Sequence, residues 1–283
     1  DGNDLKNIEI IFSNENSLIA LYKTTITEES NQTTSASSDG TTSASSDGTT
    51  SASSGVTTRS TTRDTYKVKC FGSSSNILNN QNVENKIDVK NVYANSLSII
   101  IIYGDQNQLA CCGNEDFIGD KQEIEKLKNI VNVTVNIGGY CLLEYDGKVH
   151  NFGKSEYIMN SPDGDDALNF VSVLSNFGAF VGIKKDNTAV IWGHSNFGYN
   201  TSNTDNNTIQ NVKDVYFNGN EKGGSILLVT NNQNNVVCRG NTKYWGGNTI
   251  NMSSSDVSKV FSTENAYFIV DKNNKLHAFG NAQ

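Results

Sequence analysis

The sequence predicts an all-β protein, a β-propeller of about six repeat units with blades of short antiparallel strands. Three observations lead there. A glycine preceded by an apolar residue recurs at Gly72, Gly113, Gly153, Gly193 and Gly280, and Gly240, in Cys-Arg-Gly, is a looser member of the series. Taken in order, these glycines stand 41, 40, 40, 47 and 40 residues apart, and a period of that length marks one supersecondary unit used repeatedly. Ahead of the glycines lie pairs of short apolar runs joined by turn residues, and no stretch shows the apolar spacing of an amphipathic helix.

Each unit supplies the same elements. Leu97 to Tyr103 and Leu109 to Cys112 flank a turn at 104–107, and Tyr140 to Tyr145 and Lys148 to Phe152 flank Asp146-Gly147. Ala179 to Ile183 with Ala189 to Trp192, and Ala266 to Val270 with Lys275 to Phe279, repeat the arrangement around turns rich in Lys, Asp and Asn. Asn, Asp and Gly accept the positive φ that tight hairpins require. About a dozen residues upstream of these hairpins a third strand is expected, at Val89 to Tyr93, Val131 to Val135, Phe170 to Leu174, Val212 to Phe217 and Val257 to Phe261. Sheets this small bury neither face alone. Radial stacking of the units at a constant period fits better than a flat sandwich.

The stretch Gly178-Ala179-Phe180-Val181-Gly182-Ile183, followed by Lys-Lys-Asp-Asn and closed by Ala189-Val190-Ile191-Trp192-Gly193, resembles the repeat of the regulator of chromosome condensation family of β-propellers. The resemblance runs through the whole chain outside one insertion. It implies a propeller of about seven blades, where this chain carries six units. The unit length is closer to compact bacterial relatives, which include a propeller that inhibits β-lactamases. The array therefore either closes on its own strand Ile8 to Phe12 or is completed by another chain.

One propeller domain spans 1–283, and a Ser/Thr-rich low-complexity insertion occupies 24–65 in the first hairpin. There the octad Thr33-Thr34-Ser35-Ala36-Ser37-Ser38-Asp39-Gly40 repeats at 41–48 and in shortened form at 49–55. With little apolar surface to bury, such a segment is expected to be flexible, and its hydroxyl density suits O-glycosylation at Thr33, Thr34, Thr41, Thr42, Thr49 and Thr50. N-glycosylation sequons at Asn31, Asn200, Asn206 and Asn251 fall in expected loops, and a fifth at Asn132 falls in a strand. These features point to an extracellular or cell-surface location.

Charge and chemistry narrow the function. A net charge of -8 and scattered lysines give no basic patch for nucleic acid. No apolar run approaches the roughly 18 to 20 residues of a membrane span. Five cysteines leave at least one thiol free. Cys70, Cys111 and Cys238 share one repeat position and read as small core residues, Cys112 should face the opposite way, and Cys141 is assigned to the core. His150 and His277 also share a repeat position, and Asp163-Gly164-Asp165-Asp166 reads as a solvated acidic turn. No nucleophile, base and orienting group fall together, so neither enzyme activity, cofactor nor metal is expected.

The leading expectation is a non-catalytic extracellular structural glycoprotein that self-assembles as a homo-oligomer, filament or surface layer, with the insert bridging subunits by strand addition. The alternative is a monomeric binding module or inhibitor for a protein partner, with Tyr157, Phe197, Tyr199, Tyr244 and Trp245 as exposed contact residues. A third class, an exchange factor for a small GTPase, follows only from the resemblance, and none of its functional residues can be placed here.

Overall fold

The repeat glycines mark the ends of sheets. The computed structural model describes residues 7–13, 17–33, 56–72, 81–200, 207–231, 236–245, 250 and 252–280. Blade 1 holds β1 (Ile8–Ser13), β2 (Ser17–Thr33) and β3 (Val56–Gly72), and blade 2 holds β4 (Val89–Ala94), β5 (Ser98–Tyr103) and β6 (Gln108–Gly113). Blade 3 is built from β7 (Ile130–Val135), β8 (Gly139–Glu144) and β9 (Val149–Gly153). Blade 4 uses β10 (Phe170–Ser175), β11 (Ala179–Lys184), β12 (Ala189–Gly193) and the short β13 (Thr208–Ile209). Blade 5 comprises β14 (Val212–Asn220), β15 (Gly223–Thr230) and β16 (Val237–Gly240), and blade 6 comprises β17 (Val257–Ser262), β18 (Ala266–Asp271) and β19 (Leu276–Gly280). All these pairings are antiparallel. The fold is a β-propeller of six blades.

The abundance of asparagine has a structural cause. Asn7, Asp88, Asn129, Asn169 and Asn211 immediately precede the first strand of blades 1 to 5 and have φ between 57° and 69°. These are left-handed values that Asn and Asp tolerate better than other side-chain-bearing residues. The kink lets each carbonyl accept a hydrogen bond from the far end of its blade's middle strand, from the N–H of Lys23, Gly104, Tyr145, Lys185 and Asn231. A β-bulge follows in each first strand and increases its twist.

Blades join through the alternation of their middle strands. Position two after the start of the repeat, held by Ile99, Tyr140, Phe180, Ile226 and Tyr267, faces the preceding blade and is 0% exposed in all five. Position three, held by Ile19, Ile100, Cys141, Val181 and Leu227, faces the following blade and is also 0% exposed. Five apolar cores result, one between each consecutive pair of blades. Two of them carry a polar clasp: Tyr140 Oη donates to Ser98 O at 2.7 Å and Tyr267 Oη to Ser225 O at 2.8 Å, each reaching into the preceding blade. In the core between blades 3 and 4, Trp192 stacks on Phe180 and its Nε1 donates to Asn151 Oδ1.

Part of the insertion is an extension of the first hairpin. Residues 24–33 and 56–65 continue the first hairpin as a two-stranded ribbon, with pairing running unbroken out to Thr33↔Val56. Thr is β-branched, so these polar stretches favour extended backbone and need no apolar face to pair. Only 34–55 of the insertion lie outside the described residues. Arg63 anchors the ribbon to blade 2 through a two-pronged contact with Asp88, at 2.5 and 2.8 Å, and also holds Glu28 at 2.8 Å. The helices are short: α1 (Gln81–Glu84), α2 (Glu115–Ile118), α3 (Lys121–Lys126) and α4 (Thr242–Trp245) plug the gaps between blades with Val83, Ile118, Ile124 and Tyr244 respectively.

The Arg63 guanidinium, with a bond from Thr65 Oγ1, holds the Asp88 carboxyl down at about 2. Because the folded value lies below that of an unfolded aspartate, the contribution is present above about pH 4 and is lost as the pH falls towards about 2. Asp88→Asn keeps a residue suited to φ 58° and removes the charge. The variant is expected to be less stable than the native protein at neutral pH, with the gap closing between about pH 4 and 2 in denaturant titrations. A gap unchanged by acid would show that the ion pair contributes nothing.

Candidate interaction site at the propeller axis

The first strand of each blade lies innermost, since β1 meets β4, β4 meets β7, β7 meets β10 and β14 meets β17. Their C-terminal ends are tied from blade to blade. Ser96 N–H donates to Ile137 O at 3.3 Å and Ile137 N–H to Phe177 O at 2.9 Å. Thr134 Oγ1 donates to Val173 O and Ser175 Oγ to Val135 O. At this end of the axis the strands open into a cavity of about 630 Å³ lined from blades 1 to 5. Ala94, Val135, Ile137, Phe177 and Phe217 give it an apolar floor, and Ser13, Ser96, Ser175 and Glu221 add a polar edge. Phe177 is 44% exposed, which is unusual for an aromatic residue so close to the centre of a fold.

A repeated asparagine shapes this end of the blades, and the glycine pattern alone did not reveal it. Asn95, Asn136 and Asn176 directly follow the inner strands of blades 2 to 4, and Asn218 lies two residues before the end of β14. Each Oδ1 accepts a backbone N–H at the start of the next strand, from Leu97 and Ser98, Gly138, Gly178 and Ala179, and Ser225 respectively. Each Nδ2 donates to the carbonyl of a loop residue beyond the repeat glycine: Phe117, Tyr157, Phe197 and Tyr244. One amide side chain thus fixes both the inner turn and the outgoing loop. The signal was present as Asn three residues before Ser98, Gly139 and Ala179. Blade 5 hides it, because its hairpin places Asn218 seven residues before Ser225.

These bonds also correct the aromatic contact residues. Phe197, Tyr199 and Tyr244 are buried, at 3%, 4% and 7% exposure, and Tyr157 and Trp245 are half-buried. Their loops fold back because the asparagines hold the loop carbonyls. Tyr157 and Phe197 enclose His194, with ring centroids 5.5 and 5.6 Å away. Trp245 Nε1 donates to Gly240 O, and Tyr244 Oη to Asn220 Oδ1. These residues pack the loops onto the blades.

The remaining candidate residues are dispersed. His150 bonds Glu144 at 3.0 Å and His277 bonds Asp271 at 3.0 Å, each within its own hairpin, so the two histidines do not meet. The cysteines are buried and free, and burial pushes the thiols of Cys111 and Cys238 up to about 12. Cys70 and Cys112 share the core between blades 1 and 2, where contact with the Cys70 thiol and burial raise Cys112 further. Asp163 immediately precedes a 3-10 turn at Gly164–Ala167, which holds Asp165 and Asp166. Among the glycosylation candidates, Asn31 and Thr33 lie on β2 of the ribbon rather than in a loop, because pairing with β3 continues past them. Asn200 is half-buried, with its N–H and C=O both bonded to the Asn207 side chain. Asn206, Asn251, Thr34, Thr41, Thr42, Thr49 and Thr50 lie outside the described residues. Among the described residues no helix is long and apolar enough to cross a membrane.

No family model matches the chain, and no curated protein does. Solved structures do show likenesses. The ectodomain of the receptor kinase CR4 from Physcomitrella patens is 14% identical, with a TM-score of 0.45 over 77% of this chain and 60% of that one. Prp20p from Saccharomyces cerevisiae is 12% identical, with a TM-score of 0.42 over 77% of this chain and 69% of that one. Human WBSCR16 is 13% identical, with a TM-score of 0.42 over 68% of this chain and 61% of that one. This chain thus spans about 60% of the length of the CR4 ectodomain. Prp20 is yeast RCC1.

Proposed function

We propose that this protein is a non-catalytic binding module that holds a segment of a protein partner at the axial cavity. The observation that carries the reading is the cavity's make-up: rigid inner strand ends from five blades surround an apolar floor with Phe177 left exposed. Concave, largely apolar and preformed sites with a few polar groups at the edge are the usual form of binding sites. The class of ligand follows from the lining: an apolar side chain to cover Phe177 and Ile137, beside a basic or neutral flank that Glu221 tolerates. Rigid aromatic residues at the centre of a site contribute most of the binding energy.

Selection from a random peptide library on the immobilised protein tests this. Apolar-centred peptides are expected to be enriched, and Phe177→Asp is expected to weaken the selected peptides at least about tenfold, or about 1.4 kcal/mol, without lowering the unfolding midpoint. Peptides that bind native protein and variant equally would place recognition elsewhere.

Self-assembly is a second reading, favoured by a different observation: among the described residues, blades 1 and 6 each carry exposed apolar side chains on one sheet face. The sequons and the Ser/Thr-rich segment support an extracellular setting with attached glycans. Neither feature bears on the axial cavity.

A further inference from the structure

Consecutive blades mate in one sense only. Position-two residues of each blade pack on position-three residues of the blade before it, and this happens five times. Two faces are left over. On blade 1, Leu18 holds position two and is 50% exposed, whereas its five equivalents are 0% exposed. Register places Phe71 and Ser13 across from Leu18, and Ile11 across from Ala20, all on the same face. Phe71 is 43% and Ile11 60% exposed. On blade 6, Phe268 holds position three and is half-buried, whereas its five equivalents are 0% exposed. Phe261 and Ala278 lie across from it and Leu276 lies across from Val270. Phe261 is 56% and Leu276 60% exposed. Among the described residues, blades 1 and 6 share no apolar core.

We propose that these two faces bind one another between copies of the chain, the position-three face of blade 6 on one copy seating against the position-two face of blade 1 on the next. The occupant is a second copy because each copy carries both halves of a mating pair that its own sequence uses five times, and leaves both uncovered. The contact continues the series of blade-to-blade interfaces already present. It is heterologous, with different patches on the two sides, so copies join head to tail and either close into a ring or extend as a filament. Contiguous apolar patches on a sheet face are otherwise costly to leave in water.

Sedimentation velocity on the full chain tests the proposal with Leu18→Asp and Phe261→Asp, two exposed positions whose substitution leaves the five internal cores intact. The native protein is expected to associate as its concentration rises, and each single variant to stay monomeric. Three arms fix the geometry. Either variant alone keeps one good face and stays monomeric, a mixture of the two forms a one-to-one heterodimer, and the double variant stays monomeric alone and in mixtures with itself. A native protein that remains monomeric at every concentration has closed its own ring, and that result overturns the proposal. So does a single variant that still dimerises, since the contact would then be face to like face. Unchanged circular dichroism and unfolding midpoints for both variants exclude misfolding as the cause of lost association.

Discussion

Gly153→Ala is expected to destabilise the protein by on the order of 4 kcal/mol, a loss confined to a few mechanisms such as backbone strain and core clash. Gly153 ends the last strand of blade 3 at φ 128°, in a region that L side chains rarely enter. A Cβ there would stand 2.4 Å from Gly138 O and 2.6 Å from Gly139 Cα. Both are backbone atoms, and Gly138 O already accepts a hydrogen bond from Lys154 N at 2.8 Å, so no rotamer change relieves the clash. Gly113, Gly193 and Gly240 occupy the same place with φ 128°, 111° and 115°, which is why the sequence keeps glycine at this point of the repeat. Gly164→Ala is the control. Its φ is 50° and nothing lies within 4 Å of a new Cβ, so only the left-handed backbone cost of about 1 kcal/mol applies. Equal losses in thermal unfolding for the two variants would show that crowding at the repeat glycine is unimportant.

Asn95→Ala is expected to cost about 3 kcal/mol, since an unpaired buried polar group costs about 1 to 3 kcal/mol. Asn95 is 4% exposed. Its Oδ1 accepts from Leu97 N, Ser98 N and Ser98 Oγ, and its Nδ2 donates to Phe117 O. Alanine strips those partners at once and frees the loop that carries α2. Asn176→Ala removes the same pattern in blade 4 at a half-buried site, where water replaces part of the bonding and the loss should be smaller. Urea titration of both variants measures the difference. A negligible loss for Asn95→Ala would mean that the inner turn and the loop hold without their shared amide.

The regular part of the fold was legible because glycine has a steric reason to recur. Strand and hairpin positions read from Tyr140 to Phe152 or from Ala179 to Trp192 agree with β8, β9, β11 and β12 to within a residue or two. The ribbon was not legible in the same way. Its stretch from Thr24 to Thr33 lacks apolar alternation, and what extends it is threonine's backbone preference and cross-strand contacts such as Thr25 to Asp64. The aromatic residues were misjudged because loop position suggests exposure, and their burial depends on asparagines about twenty residues away in sequence. The axial cavity was not legible from the glycine repeat, since it is assembled from the ends of strands about forty residues apart. Once the Asn at 95, 136 and 176 is aligned with the repeat, however, the residues just ahead of it and just after it mark the rim in advance.

The most direct test of the central claim is hydrogen–deuterium exchange of the full chain with and without a selected peptide. Binding at the axis should slow exchange at 94–96, 135–137, 175–177 and 217–221, one segment from each of four blades, in a single peptide-dependent step. Protection confined to the outer loops, with those four segments unchanged, would contradict the account and move the binding surface away from the axis.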